Sequence, residues 1–261
     1  SEMCIRDSLF YLYYMENKIE IYGIRSIIEA IESSKEITKV YLLKSNSPQS
    51  SLLRSLIILL ERKNIKSSFV PKEKFRKYSD KNHQGAVAIL SPVSLLSIDE
   101  LITSTFDDTL SKTYLLLDGI TDTRNFGAII RTSVAADIDG IIISQNNSAP
   151  INADVVKTSS GGVFKIPIAR VNNIKDAILY LKSVNVEIIS VSEKGDKTIY
   201  EADFSKSVGL ILGSEDRGIS KSIIKLSNDI VKVPISTKID SLNVSVAFSA
   251  VIFELVRQRS F

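Results

Sequence analysis

Three polar segments, each set where an apolar run ends, carry the residues of this chain that could do chemistry. The first reads Asp118-Gly119-Ile120-Thr121-Asp122-Thr123-Arg124-Asn125-Phe126-Gly127-Ala128-Ile129-Ile130-Arg131. An asparagine amide and an arginine fork flank Gly127 at the opening of a helix. If Asn125 lies in the loop ahead of that helix, both side chains can reach toward the end of the sheet. The guanidinium is a fixed cation suited to phosphate or carboxylate. The same residues also read as a helix cap, Asn125, and a surface ion pair, Arg131, with no ligand. The second segment, Gly213-Ser214-Glu215-Asp216-Arg217-Gly218, follows the run Val208-Gly209-Leu210-Ile211-Leu212. Gly213 permits a sharp turn and close approach of a ligand to the backbone, leaving Glu215 free to pair with Arg131 or with a ligand donor. A ligand-free loop has the same pattern. In the third, Val233-Pro234-Ile235-Ser236 runs on to Ser241-Leu242-Asn243-Val244-Ser245 at the start of an apolar helix. Ser241 or Asn243 would cap that helix, and its backbone donors could equally hold a cofactor carboxylate or a substrate phosphate.

For these segments to meet, the elements around them must bring one end of one sheet together. Strand-like runs near 114–117, 141–143, 186–190, 208–212 and 230–233 alternate with helical patterns over 128–136, 174–181, 220–226 and 244–257. That alternation predicts a parallel sheet covered on both faces, with ligands outside the C-terminal strand ends, where all three segments begin. No Gly-x-Gly-x-x-Gly follows the opening strand, because Leu117 leads into Asp118-Gly119-Ile120. This argues against a dinucleotide-binding dehydrogenase.

Upstream lies a smaller α/β unit. Ile24, Ile27, Ile28 and Ile31 fall on one helical face, and Val40-Tyr41-Leu42-Leu43 reads as a buried strand. Leu52, Leu53, Leu56, Ile57, Leu59 and Leu60 give a second helix, and Gly85-Ala86-Val87-Ala88-Ile89-Leu90 closes as a strand. Lys72-Glu73-Lys74-Phe75-Arg76-Lys77-Tyr78 interleaves cations with two aromatics, reading either as an RNA clamp or as an exposed amphipathic turn. Residues 1–14 read as a non-native or disordered leader with Met15 as the working start, 15–92 as the front domain, 93–111 as a linker with one short helix capped by Ser97, and 112–261 as the second domain.

Hydrophobic residues make up 44% of the 261 and charged residues 24%, ordinary values for a globular protein. One cysteine, Cys4, and one histidine, His83, exclude an intrachain disulfide and the usual His/Cys zinc site, and argue against chemistry that needs a Cys or His nucleophile pair. No apolar run is long enough to span a bilayer. Residues 15–92 hold 14 Lys/Arg against 8 Asp/Glu, and residues 93–261 hold 18 against 20, so the basic excess sits in the front third. Such a surface attracts a phosphate backbone, or it simply solvates helix faces.

In order, spacing and residue type, the three segments resemble the motifs of the SpoU/TrmH-type RNA ribose 2′-O-methyltransferases of the SPOUT class, over essentially the whole second domain. Ile21-Tyr22-Gly23, His83-Gln84-Gly85-Ala86-Val87-Ala88 and Glu254-Leu255-Val256-Arg257-Gln258-Arg259 are similar to the subgroup that methylates a guanosine of 23S rRNA. The resemblance implies an α/β chain: a small N-terminal ribosomal-protein-like α/β RNA-binding domain, then a C-terminal parallel-sheet SPOUT domain with a deep trefoil knot. It implies S-adenosylmethionine bound bent within the knot, with Gly213, Val233, Ile235 and Leu242 lining its pocket. Asn125, Arg131, Glu215, Ser241 and Asn243 match the family's catalytic and substrate-binding set. A cytoplasmic homodimer is implied, paired through its catalytic domains with the active site completed across the interface, acting on RNA without a metal or a membrane.

A tRNA ribose 2′-O-methyltransferase and a non-catalytic RNA-binding assembly factor are the alternatives. The full front domain argues against the first, and retention of Asn125, Arg131 and Asn243 against the second. The first motif usually reads Asp-Pro in this family, whereas Thr123 follows Asp122 here, a change expected to loosen the loop slightly. Family proposals make the arginine a base. Because a guanidinium stays protonated, Arg131 is expected instead to grip the target phosphate and lower the hydroxyl pKa, while Asn125 and Glu215 orient the hydroxyl.

Overall fold

The computed structural model describes residues 20–32, 35–44, 50–91, 93–105, 107 and 110–260. The leader expected over residues 1–14 and the start at Met15 lie outside the described residues. The chain divides into two compact units, the first ending at Ser94 and taking in 151–153, the second formed by Leu95–Pro150 and the chain from Asp154 on.

The first unit is built on a mixed sheet ordered β1-β4-β2-β3, from β1 (Glu20–Tyr22), β2 (Ile37–Leu43), β3 (Ser67–Val70) and β4 (Ala86–Leu90). Strand β4 is antiparallel to β1 and β2, and β2 is parallel to β3. Helices α1 (Ile24–Glu32) and α2 (Ser51–Arg62) cover one face. Ile24, Ile27 and Ile31 recur at helical spacing and pack with Leu56 and Leu60 over Val40, Leu42, Ala86 and Ala88. Strand residues of opposite parity, Tyr22, Tyr41, Leu43, Val70 and Val87, face the other side. There α3 (Lys72–Phe75) and the 3-10 turn Arg76–Tyr78 insert Phe75 and Tyr78, only 3% and 4% exposed. Of the two readings of 72–78 this excludes the aromatic clamp and agrees with the amphipathic turn: both rings are spent on the core, while Lys72, Glu73, Lys74, Arg76 and Lys77 are exposed.

The second unit is a seven-stranded sheet in which every pairing is parallel, ordered β7-β6-β5-β10-β8-β11-β9. Its strands are β5 (Thr113–Asp118), β6 (Gly140–Ser144), β7 (Ile168–Val171), β8 (Glu187–Val191), β9 (Lys197–Thr198), β10 (Val208–Gly213) and β11 (Asp229–Lys232). Its helices are α4 (Ile98–Thr105), α5 (Thr123–Ala135), α6 (Ala153–Thr158), α7 (Ile174–Ser183), α8 (Lys221–Ile224) and α9 (Val244–Ser260). In β5 and β10 every residue but the last is buried, as expected for central strands covered on both faces. Leu101, Ile178, Leu181 and Ile223 from α4, α7 and α8 pack on Leu116, Ile142, Ile188 and Ile211. Helices α5 and α9 pack on each other, and α9 also on β10.

Three local features set the frame. Helix α4, placed in the linker on sequence, is part of this core: Ser97 and Glu100 form a reciprocal capping box at 3.2 and 2.7 Å, and Leu101 is fully buried. Helix α5 starts at Thr123 rather than near 128, because the Asp122 carboxylate caps it, accepting from the N–H groups of Arg124 and Asn125 at 2.9 and 2.8 Å. At the far end of α9, the Arg259 guanidinium donates to the carbonyls of Phe204, Ser111, Lys112 and Lys206 and to Thr113 Oγ1. It pins that helix where β5 begins. Among the described residues, no helix is long and apolar enough to cross a membrane.

Candidate active site

Neighbouring strands β5 and β10 end in register, Gly213 opposite Asp118, so the first two motifs leave the sheet side by side. Gly119 leaves β5 with φ +83°, and Gly218 closes the second loop with φ +64°, its N–H donating to the Ser214 carbonyl at 2.8 Å. A Cβ on Gly213 would stand 2.1 Å from the Gly218 carbonyl carbon, so no other residue can stand there unless the backbone moves. The two loops are tied where the Ser220 N–H donates to Asp118 Oδ2 at 3.0 Å. Gly127 plays a matching part inside α5: a Cβ there would fall 1.7 Å from Thr158 Oγ1.

On this frame the three motifs meet in one polar cluster. Asn243 Nδ2 donates to Glu215 Oε1 at 2.6 Å and to Asn125 Oδ1 at 3.0 Å, and Asn125 Nδ2 donates to Glu215 Oε1 at 3.0 Å. The amide of Asn243 has a defined orientation, because its Oδ1 accepts from Ser245 N at 3.0 Å and Ser245 Oγ at 2.6 Å as the N-cap of α9. Turned the other way, it would set oxygen against the Glu215 carboxylate. One Glu215 oxygen thus holds two amide donors, and the other has no partner among the described residues.

Beside the cluster lies a cavity of about 610 Å³. Gly213, Glu215, Val233, Ile235, Ser241, Leu242 and Asn243 all line it. Asn125 reaches its rim only through Glu215 and Asn243. Two sequence expectations are corrected here. Asn125 stands in the first turn of α5, neither in the preceding loop nor as the cap. Glu215 pairs with the two asparagines and not with Arg131, which is exposed, does not line the cavity and has no ion pair among the described residues. The reason is helical phase: six residues carry Arg131 about 120° round the helix from Asn125. Ser241 lines the cavity and makes no hydrogen bond among the described residues.

Sequence reasoning did not nominate Ser192, Glu193 and Lys194, which line the cavity from the end of β8. The signal was the apolar run 186–190 ending in polar residues, but its place beside β10 depends on strand order. Ser245, which orients Asn243, was also missed, although a serine two residues after a capping asparagine was visible in the third motif.

Known proteins resemble this chain over both units. Residues 112–253 match the model of the SpoU rRNA Methylase family, and residues 21–96 match that of RNA 2′-O ribose methyltransferase substrate binding. An uncharacterised tRNA/rRNA methyltransferase of Mycoplasma genitalium is 37% identical over 238 residues, covering 89% of this chain and 95% of that protein. A 23S rRNA (guanosine-2′-O-)-methyltransferase of Escherichia coli is 29% identical, over 92% of this chain and 98% of that protein. The SpoU methyltransferase AviRb of Streptomyces viridochromogenes, solved in complex with AdoMet, has the same fold with a TM-score of 0.59 at 22% identity, over 92% of this chain and 90% of that one. The chain therefore belongs to the SpoU family of RNA 2′-O-ribose methyltransferases.

Proposed function

We propose that this protein transfers the methyl group of S-adenosylmethionine to a ribose 2′-hydroxyl of RNA, with a guanosine of 23S rRNA as the target. The observation that carries the reading is the Glu215 carboxylate, held by Asn125 and Asn243 at the rim of the cavity. The cavity fits the cofactor in size, within the roughly 300–1,000 Å³ of small-molecule sites. It also fits in chemistry: the N–H groups of Ile235 and Leu242, both in its lining, have no partner among the described residues. Gly213, Val233, Ile235 and Leu242 would hold the cofactor, which supplies an activated methyl on a sulfonium.

The chain's own residues then have to position and activate a poor nucleophile. The open Glu215 oxygen and the Asn125 amide orient the hydroxyl, Ser241 offers a further polar contact, and placement at near-attack distance contributes on the order of 7–11 kcal/mol. Arg131 grips the target phosphate. Its absence from the cavity lining and from the bonds of the cluster favours action at the site of a second copy, in a homodimer paired through the catalytic unit. Val246 and Phe253, 53% and 49% exposed one heptad apart on α9, support such pairing. The deep trefoil knot that the family resemblance implies belongs to the same reading.

Labelled S-adenosylmethionine offered with unmodified rRNA and, separately, unmodified tRNA, followed by mapping of 2′-O-methyl sites, tests this. One modified guanosine in 23S rRNA is expected. Label confined to tRNA would overturn the target, and no label in either would overturn the activity.

A further inference from the structure

The basic segment 72–78 leaves a question that the catalytic cluster does not answer: its rings are buried, yet its cations surround something. On the second face of the first unit lies a concavity of about 470 Å³, with Tyr41, Val70, Phe75 and Tyr78 among its walls. Lys74 and Arg76 also line it, are exposed and have no partner among the described residues. Lys77 is less available, since its ammonium is paired with Glu20 at 3.1 Å and lies 4.4 Å from the Tyr78 ring centroid. Glu73 is the one carboxylate in the lining. Tyr41 is only partly buried, and Lys39 Nζ stands 5.1 Å from its ring centroid. A partly open aromatic ring among three cations, in a depression the size of a small-molecule site, is suited to a ligand with a flat π-system and a negative charge.

We infer that this concavity seats an unpaired nucleotide of the RNA substrate, its base against Tyr41 and its phosphates toward Lys74 and Arg76. The inference rests on the proposed RNA methyltransferase activity for the identity of the polyanion, and it locates a contact on the first unit. It also moves the stacking residue: not Phe75 or Tyr78, whose rings hold the sheet, but Tyr41, on the strand they cover. Single-stranded recognition follows, because a base paired in a helix cannot turn its face to a side chain.

Filter binding of an unmodified 23S rRNA transcript at several salt concentrations tests the site in the full-length protein. Tyr41→Phe should bind as wild type, and Tyr41→Leu roughly tenfold more weakly, the scale of one base–aromatic stack. Lys74→Ala/Arg76→Ala should lower affinity at low salt and flatten the log K against log salt slope by roughly 1.4, for two single-strand phosphates. A 4-thiouridine-substituted transcript should photocross-link to the peptide containing Tyr41. Wild-type affinity and slope in the leucine and double variants, or cross-links confined to the second unit, would overturn the site. If Tyr41→Leu melts early, the double variant and the cross-link decide. A wild-type protein that methylates neither rRNA nor tRNA would sink the proposed activity while leaving these binding results to stand or fall alone.

Discussion

Replacing Asn243 by aspartate separates the two jobs of this side chain. The retained oxygen still caps α9, accepting from Ser245 N as Oδ1 does at 3.0 Å, and aspartate ranks with asparagine as an N-cap. The other half of the amide becomes an oxygen where a donor now lies 2.6 Å from Glu215 Oε1 and 3.0 Å from Asn125 Oδ1. Two carboxylates about 4 Å apart repel by about 1 kcal/mol in water and about 4 kcal/mol at an effective dielectric of 20. Because the cluster is exposed, the lower part of that range applies, and with the lost hydrogen bonds Asn243→Asp should destabilise by about 1–3 kcal/mol. Asn243→Ser keeps a capping oxygen and removes the donors without adding charge, and should cost about 1 kcal/mol or less. Urea unfolding at pH 7 in low and high salt gives the ordering. Aspartate should be the worse substitution at low salt, and the gap should narrow in 1 M salt, where the Debye length is about 3 Å. Single-turnover methyl transfer should fall on the order of a hundredfold in both, the scale of a misplaced catalytic group. If Asn243→Asp were as stable and as active as wild type, the amide would not be what holds Glu215.

Other perturbations probe the frame. The Glu254 carboxylate is held down to about 2, first by the hydrogen bond from Arg257 and then by that from Gln258, so its stabilisation is complete above the ordinary glutamate range and is lost as pH falls from about 4.5 toward 2. Glu254→Gln should remove that increment of acid sensitivity in urea midpoints measured between pH 6 and 3; an unchanged pH profile would refute it. Gly127→Ala should destabilise by about 1–3 kcal/mol in thermal unfolding, and adding Thr158→Ala should relieve this only in part, because Thr158 Cβ would still lie 2.6 Å from the new methyl. Full relief would mean that only the hydroxyl is in the way. Arg131→Lys should slow single-turnover transfer with saturating RNA, and a near-normal rate would exclude a role for the guanidinium fork. Ser245→Ala should lower the transfer rate more than it lowers stability, since the cap bond from Ser245 N survives, and Ser245→Thr should restore the rate.

Strands β5 and β10 were legible because burial on both faces writes them as unbroken apolar runs, and each motif was legible because it begins where such a run stops. The start of α5 was not, because apolar periodicity marks a helix only where it packs, while Thr123–Asn125 are held by the Asp122 cap. Strand β9 has two residues and β7 four, too few to show a period of two. Convergence of the motifs followed from strand ends, but the bond from Asn243 to Asn125 spans 118 positions and depends on β10 lying beside β5. Phe75 and Tyr78 show the limit most plainly: a run of cations and aromatics reads alike whether its rings face solvent or a sheet.

Helix α9 is fastened at both ends, by the Asn243 cap beside Asn125 and Glu215 and by Arg259 against carbonyls at the opposite end of the sheet. One 17-residue rod therefore couples the chemistry to the order of synthesis. A ribosome making this chain releases the residues of β5 and β10 before those of α9, so the Glu215 carboxylate has only the Asn125 amide until Asn243 follows. A nascent chain that already displays its basic first unit is thus without the closed Asn125–Glu215–Asn243 cluster, which is completed only when the start of α9 has been translated.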